Sequence, residues 1–353
     1  MKQYAIAALF GSLSVVASAQ STIISTPQSS VTLFGVVDAG VRDVKNNNYE
    51  EKFLESGGLT TSRLAFKGTT DLGSGYSAGF WLEAGFNPAN GTQSDSTRFF
   101  NRRSTVSLFS TALGELRLGR DYTPTYRGYV DYDEFFDNGV AASSKFDSSL
   151  GTARQTGTRT DNELSYFTAD NLGGFFARVS VAAPQGVVGG KYAGGAAGFA
   201  QGPFKSSVAY GQTTVASVAG EDLFKTWDVG ASYDFNVIQV QGYYTDSTYG
   251  GLARRNSSFG ASAPVGPIVI RAQYTHSSAS GVTAAHVSTD ANTANQFALG
   301  LLYNASKSTT LYATAATVRN KGAANFVVAA TAVTPAGGGW NSSGYEAGVR
   351  YSF

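Results

Sequence analysis

The chain has no cysteine, one methionine at its start and two histidines among 353 residues. No disulfide can staple it, and thiolate chemistry is closed to it. His276, at the end of a predicted strand, and His286, in a polar loop, offer no ligand set for a metal. An excess of one charge is missing too: 26 basic residues stand against 25 acidic ones, so the chain lacks the basic surplus that holds nucleic acid. Beyond residues 1–20 it also has no apolar run near the ~18 residues that mark a membrane helix. Any membrane crossing must then be made by strands, because a closed barrel is the other way to satisfy every backbone group in hydrocarbon.

The composition that is present suits such strands, with 42 glycines, 19 tyrosines and 23 phenylalanines. Alternation of period two runs through most of the chain. "VTLFGVVDAGV" puts Leu33, Val37, Ala39 and Val41 opposite Thr32 and Asp38, and "YSAGFWLEAGF" puts Tyr76, Phe80 and Leu82 opposite Ser77 and Glu83. In "TWDVGASYDF" Trp227, Val229, Ala231 and Tyr233 oppose Asp228, Ser232 and Asp234. One face of each run is apolar, and the other carries charges unsuited to a dry core. The same alternation reaches the final residues, "GYEAGVRYSF", placing Tyr351 and Phe353 on the apolar face. At the other end, "MKQYAIAALFGSLSVVASAQ" has a basic start, a short apolar run and small residues before Gln20. That layout predicts a secretory signal over 1–19, cleaved to leave one domain over 20–353.

The connections have two lengths. Short turns at "TDLGSG", "TALGE", "DNLGG", "DFN", "APVGP" and "NASKS" join runs as hairpins. Longer polar segments fall at 45–59, 87–99, 122–158, 183–190, 212–224, 247–254, 277–293 and 320–341. The predicted fold is all-β: a transmembrane antiparallel barrel of about 16 strands, with short periplasmic turns and long extracellular loops. A register break is expected where the pattern weakens, in "KYAGGAAGFA" and "TTLYATAATV".

Five stretches, "SSVTLFGVVDAGV", "SRLAFKGTTDLGSGYSAGFWLEAGFN", "FFNRRSTVSL", "LGELRLGRDYTP" and the terminal "GVRYSF", resemble in order and spacing the strands of Gram-negative general diffusion porins of the β-proteobacterial type. The resemblance is strong over 31–124 and at the C-terminus, and elsewhere is one of topology. It implies a homotrimer of 16-stranded barrels in the outer membrane, surrounded by lipid, with the third loop folded into each lumen. It also implies that Phe353, with Tyr351 beside it, is read by the barrel-assembly machinery.

The longest connection, 122–158, carries Asp131, Asp133, Glu134 and Asp137 among aromatics. By itself such a run reads as a solvated outer loop; the resemblance moves it inside the barrel, as the acidic side of a constriction. Strand parity supplies the basic side. Arg63 shares the polar face of its strand, and Arg117 does likewise. Arg159 has the parity of Asp161, Glu163 and Ser165. On the fourth strand parity favours Arg103, and the match of "FNRR" to the family favours Arg102. Arg120 has the wrong parity and reads as a strand-end residue. Unpaired arginines on the lipid face would cost ~2–4 kcal/mol each at mid-depth, which favours the lumen for the set.

The expected function is passive diffusion of small hydrophilic solutes and ions, with mild anion preference from the arginines and the loop acids arguing the other way. No cofactor and no nucleic-acid partner is implied. Three other readings stay open at this level. A solute-specific channel would line its lumen with an aromatic ladder or a lysine patch, and neither is clear. An adhesive barrel would plug its lumen or lengthen its loops. An enzyme would need a Ser-His arrangement such as "THSS" could supply only through geometry.

Overall fold

The computed structural model describes residues 29–217, 220–329 and 337–353. The predicted signal and the first residues after it lie outside these. Seventeen strands form one antiparallel sheet. They are β1 (Ser29–Asn46), β2 (Tyr49–Ser56), β3 (Arg63–Gly73), β4 (Tyr76–Gly85), β5 (Arg103–Ser110), β6 (Gly114–Tyr122), β7 (Arg159–Phe167), β8 (Phe175–Ala182) and β9 (Lys191–Gln201). The remainder are β10 (Phe204–Ser217), β11 (Gly220–Asp234), β12 (Gln239–Tyr249), β13 (Leu252–Val265), β14 (Ile268–Ser280), β15 (Thr293–Asn304), β16 (Thr309–Lys321) and β17 (Ser342–Ser352). β1 pairs along Val36–Asn46 with β17, which closes the ring.

β2 and β3 are two halves of one stave. Both pair with the same edge of β1, Ala39 opposite Ser56 and Val36 opposite Arg63, so the barrel has 16 staves, as expected. Between the halves, residues 57–62 leave the ladder, and Asp38 takes over the lost pairing. Its carboxylate accepts from the Leu59 and Thr60 amides at 2.9 and 2.7 Å and from the Tyr312 hydroxyl at 2.6 Å.

Each stave shows two faces. On β11, Trp227, Val229 and Tyr233 are 40–42% exposed toward lipid, and Asp228 between them is fully buried toward the lumen. Exposed aromatics gather at the short-turn ends of the staves: Tyr76, Phe175, Phe204, Tyr233, Tyr303 and Tyr351. There they form the interfacial girdle of a membrane barrel.

All six short turns lie where the sequence placed them. Three of the long connections do not. Segments 45–59, 212–224 and 247–254 are largely paired strand, with Asn46 opposite Tyr49, Gln212 opposite Lys225 and Ser247 opposite Arg254. Above the lipid both faces of a stave meet water, so its residues turn polar while its ladder continues. The register breaks expected in β9 and β16 are absent from their pairings; the irregularities fall at Asp71–Gly73 and Gly119–Asp121.

The connection 123–158 enters the barrel. It opens with a helix, α1 (Pro124–Val130), whose Thr123 cap accepts from the Tyr126 amide, and continues through single 3-10 turns at Gly139–Ala141 and Ser144–Phe146. Its bulky side chains seat in hollows on the inner wall of β10–β17 where that wall is glycine. A Cβ at Gly230 would fall within the Tyr132 ring, one at Gly300 would lie 2.8 Å from Phe135, and one at Gly344 would lie 3.0 Å from Val140. Phe135, Val140 and Phe146 join Val44, Ala298, Ala316, Val318 and Val328 in an apolar core inside the barrel.

Candidate functional site

The wall facing away from this core is built of charge. Glu83, on the inner face of β4, accepts from Arg102 Nε at 2.5 Å, and Arg63 lies 3.6 Å away. Arg102 also donates to the Tyr122 hydroxyl at 3.0 Å, and the Arg159 guanidinium sits 4.0 Å from the centre of the Tyr122 ring. Tyr122 stacks on Tyr126, at 5.0 Å and 8°, where the inward loop departs from β6. Thus Arg63, Arg102 and Arg159 gather about one tyrosine with one carboxylate among them. Among the described residues no acid comes within ion-pair distance of Arg159, and its Nε has no partner.

The next rows are balanced. Arg117 bonds Glu115 at 2.7 Å and Asp121 at 2.5 Å. Arg103 lies 3.8 Å from Asp121, with its guanidinium 4.5 Å from the Trp81 ring centre. Both Arg102 and Arg103 therefore reach the lumen. Parity pointed to Arg103 alone because β5 starts there, and Arg102, still in the incoming loop, is free of the strand's alternation.

Arg159 arrives by a different route from the one its parity suggested. A bulge at Asp161–Asn162, with Asn162 at φ 55°, turns Thr160 inward beside Glu163 and Ser165. It leaves Asp161 at the rim, bonded to Arg120 at 2.6 Å and Arg98 at 2.9 Å. Arg159, opposite Tyr122 at the first position of β7, reaches the cluster from the strand end.

The loop acids do not face these arginines as a bare row. Asp131 ends α1 and pairs with Arg127 at 2.5 Å and Lys205 at 3.5 Å. Asp133, fully buried, accepts from the Phe135 amide at 2.9 Å and from Gln273 at 3.1 Å. Glu134 is pressed onto the far wall, where Arg271 donates to its carbonyl at 3.1 Å; burial pushes its carboxyl up to about 7 against the pull of that guanidinium. Asp137 accepts from the Ser144 amide at 2.6 Å and the Tyr126 hydroxyl at 3.2 Å, and burial raises its carboxyl to about 6. Lys145 donates to the Val140 carbonyl at 3.1 Å and to Gln296 at 2.6 Å, and burial lowers it to about 7.

Several charged groups in the lumen escaped the sequence reading. Arg178 pairs with Glu163 at 2.5 Å, Arg42 with Glu346 at 2.7 Å, and Arg350 donates to Thr310 at 2.8 Å. Alternation within "FFARVSVA" and "GYEAGVRYSF" was the signal that would have found Arg178 and Arg350. Tyr351 and Phe353 are each about half exposed on the lipid side. His276 bonds Asn295 at 2.9 Å, and His286 occupies a turn of the loop 281–292.

Residues 5–323 match the Gram-negative porin family. Outer membrane porin protein 32 of Delftia acidovorans is 36% identical over 346 residues, covering 92% of this chain and 95% of that one. An outer membrane porin protein of Bordetella pertussis is 26% identical over 266 residues, 64% of this chain and 66% of that one. Among solved structures, the anion-selective porin from Comamonas acidovorans superposes with a TM-score of 0.82 at 33% identity, over 92% of this chain and all of the other. OmpF of Salmonella typhi, with a TM-score of 0.64 at 16% identity over 92% and 97% of the two chains, shares the fold.

Proposed function

The chain belongs to the Gram-negative porin family, and from that premise we propose that it is an outer-membrane channel for passive diffusion of small hydrophilic solutes and ions, with a mild preference for anions. The observation that carries the preference is the trio Arg63, Arg102 and Arg159 with one carboxylate among them, that of Glu83, which pairs with the first two and leaves Arg159 without an acid among the described residues. Opposite them, the loop acids are engaged in bonds within the loop and to its wall, so the positive charge near Tyr122 is the larger free charge. In a passage lined by low-dielectric walls such a surplus raises the local concentration of anions and lowers that of cations. No energy source is coupled, and the channel reading is preferred to a catalytic one because every relative named above is a porin. The anion-selective character of the Comamonas porin supports the same sign.

Family membership also supports assembly as a homotrimer, recognition of Phe353 and Tyr351 by the barrel-assembly machinery, and removal of residues 1–19 on export. The deciding experiment is single-channel recording in a planar bilayer under a KCl gradient. Stepwise ohmic conductance with a reversal potential of anion sign is expected, and Arg63→Ala should move that potential toward cations. A folded barrel without conductance would overturn the channel, and a cation-selective wild type would overturn the role given to the arginines.

A further inference from the structure

The lipid face of β14–β17, β1 and β2 carries a groove of about 1060 Å³, at the upper end of the ~300–1,000 Å³ in which protein pockets hold whole small molecules. Ala313 and Ala315 of β16 and Ala347 of β17 leave it open, and Leu299, Leu54 and Tyr345, 63–66% exposed, stand along it. Its height follows from the register. Tyr303 of the short-turn girdle pairs with Leu311, and eight residues farther up the same two staves Asn295 pairs with Arg319. Eight residues rise ~27 Å along a strand, ~20 Å across the membrane at a tilt of ~40°. Arg319 therefore stands near the top of the ~25 Å apolar band, from where its side chain reaches the outer headgroups, and the groove lies below it in the outer half of the bilayer.

That rim is basic. Arg319 and Lys321 of β16 are exposed and make no ion pair among the described residues. The other charges on the lipid-side rim from β12 around to β2 are matched: Arg255 by Asp246 at 3.0 Å, and Lys52 by Glu50 at 2.9 Å and Asp43 at 3.5 Å, with Lys45 opposite Glu50. Asn295 adds a donor beside the guanidinium. Its oxygen accepts from the Tyr274 hydroxyl at 2.7 Å and lies 2.9 Å from His276 Nδ1, which leaves its amide NH₂ free among the described residues. A guanidinium, an ammonium and an amide NH₂ above an apolar groove are the complement of a phosphate joined to hydrocarbon chains.

We propose that this surface binds one lipid of the outer leaflet through its phosphate, with Arg319, Lys321 and Asn295 on the phosphate and an acyl chain in the groove. The proposal rests on the barrel lying in the outer membrane and not on its conducting.

Native mass spectrometry of the folded, detergent-solubilised barrel tests it, with dimyristoyl phosphatidic acid and dimyristoyl phosphatidylcholine as probes of equal chain and different head. One saturable adduct per barrel is expected, with phosphatidic acid bound at least tenfold more tightly. The Arg319→Ala/Lys321→Ala double variant should lose that preference and keep its heat-modifiability, since both side chains are exposed. Ala315→Phe, which fills the groove, should weaken both lipids severalfold. Should Ala315→Phe fail to fold, the double variant decides alone. Equal binding of the two lipids, adducts that never saturate, or a preference unchanged in the double variant would overturn the site. So would an Ala315→Phe barrel that binds lipid as before but falls apart into monomers, because the groove would then belong to a second copy of the chain. The readout is lipid binding, so a barrel that fails to conduct does not alter it.

Discussion

At the scale of single residues, selectivity turns on how many guanidiniums share each carboxylate. Arg117 and Arg103 are matched by Glu115 and Asp121, and Arg178 by Glu163. Around Tyr122, three arginines have Glu83 alone. Glu83→Gln should therefore strengthen anion preference, and Arg159→Ala should weaken it with little change in heat stability, because Arg159 gives up no ion pair. Reversal potentials of the two variants under one KCl gradient check both signs. The arginines were legible from parity wherever a strand was regular. Parity failed at Arg102, which precedes its strand, and at Arg159, where a bulge intervenes. Glu83 was visible on a polar face, but its role was not, since which charges meet depends on neighbouring staves, Arg102 lying 19 residues from Glu83 in sequence.

At the scale of elements, the inward loop is keyed to the wall by side chains in glycine hollows. Gly230→Val would thrust a side chain into the space of the Tyr132 ring, an overpacking that costs about 1–3 kcal/mol. The loop should give way before the barrel does. Increased open-channel noise and faster proteolysis within 123–158, with heat-modifiability retained, are the expected outcome. The loop should also respond to pH. Glu134 and Asp137 hold their protons more tightly in the folded loop than their ordinary values of 4.5 and 3.8. Their stabilisation is thus complete below about pH 4 and is lost as pH rises through 6 to 7. Asp133 beside Asp137, Lys145 within the same loop and Arg271 across the seam set how steep that loss is. Proteolysis of the loop should quicken from pH 5 to pH 8, and Asp137→Asn should flatten the trend. The two stretches where alternation faded, β9 and β16, trace to this same element. α1 packs on β9, where Tyr192 meets Thr125 at 3.2 Å, and the apolar core covers Ala316 and Val318 of β16. Their inner faces are small or apolar because they touch protein instead of water, a fact no local pattern carries.

At the scale of the whole molecule, the ring closes where Gly35 and Phe353 exchange backbone hydrogen bonds at 3.0 and 3.1 Å. The Phe353 ring lies so near Gly35 that a Cβ there would sit 2.6 Å from it. Phe353→Ala should cost about 1–2 kcal/mol, part of a full side-chain burial because the ring is half exposed. Gly35→Leu should produce a similar loss by taking the ring's seat; heat-induced mobility shifts in detergent would measure both. Closure and stave number were readable from the sequence because the lipid imposes a period on every stave that crosses it. Above the lipid that pressure stops, which is why β2 and the upper reaches of β10–β13 passed for loops. The alternation has a hereditary side as well. Neighbouring positions on a stave answer to different environments, one to the bilayer and the next to the solute stream. A lineage that moves to a new diet can rewrite the inner positions and leave the outer ones untouched, so the two sets should drift apart at different tempos.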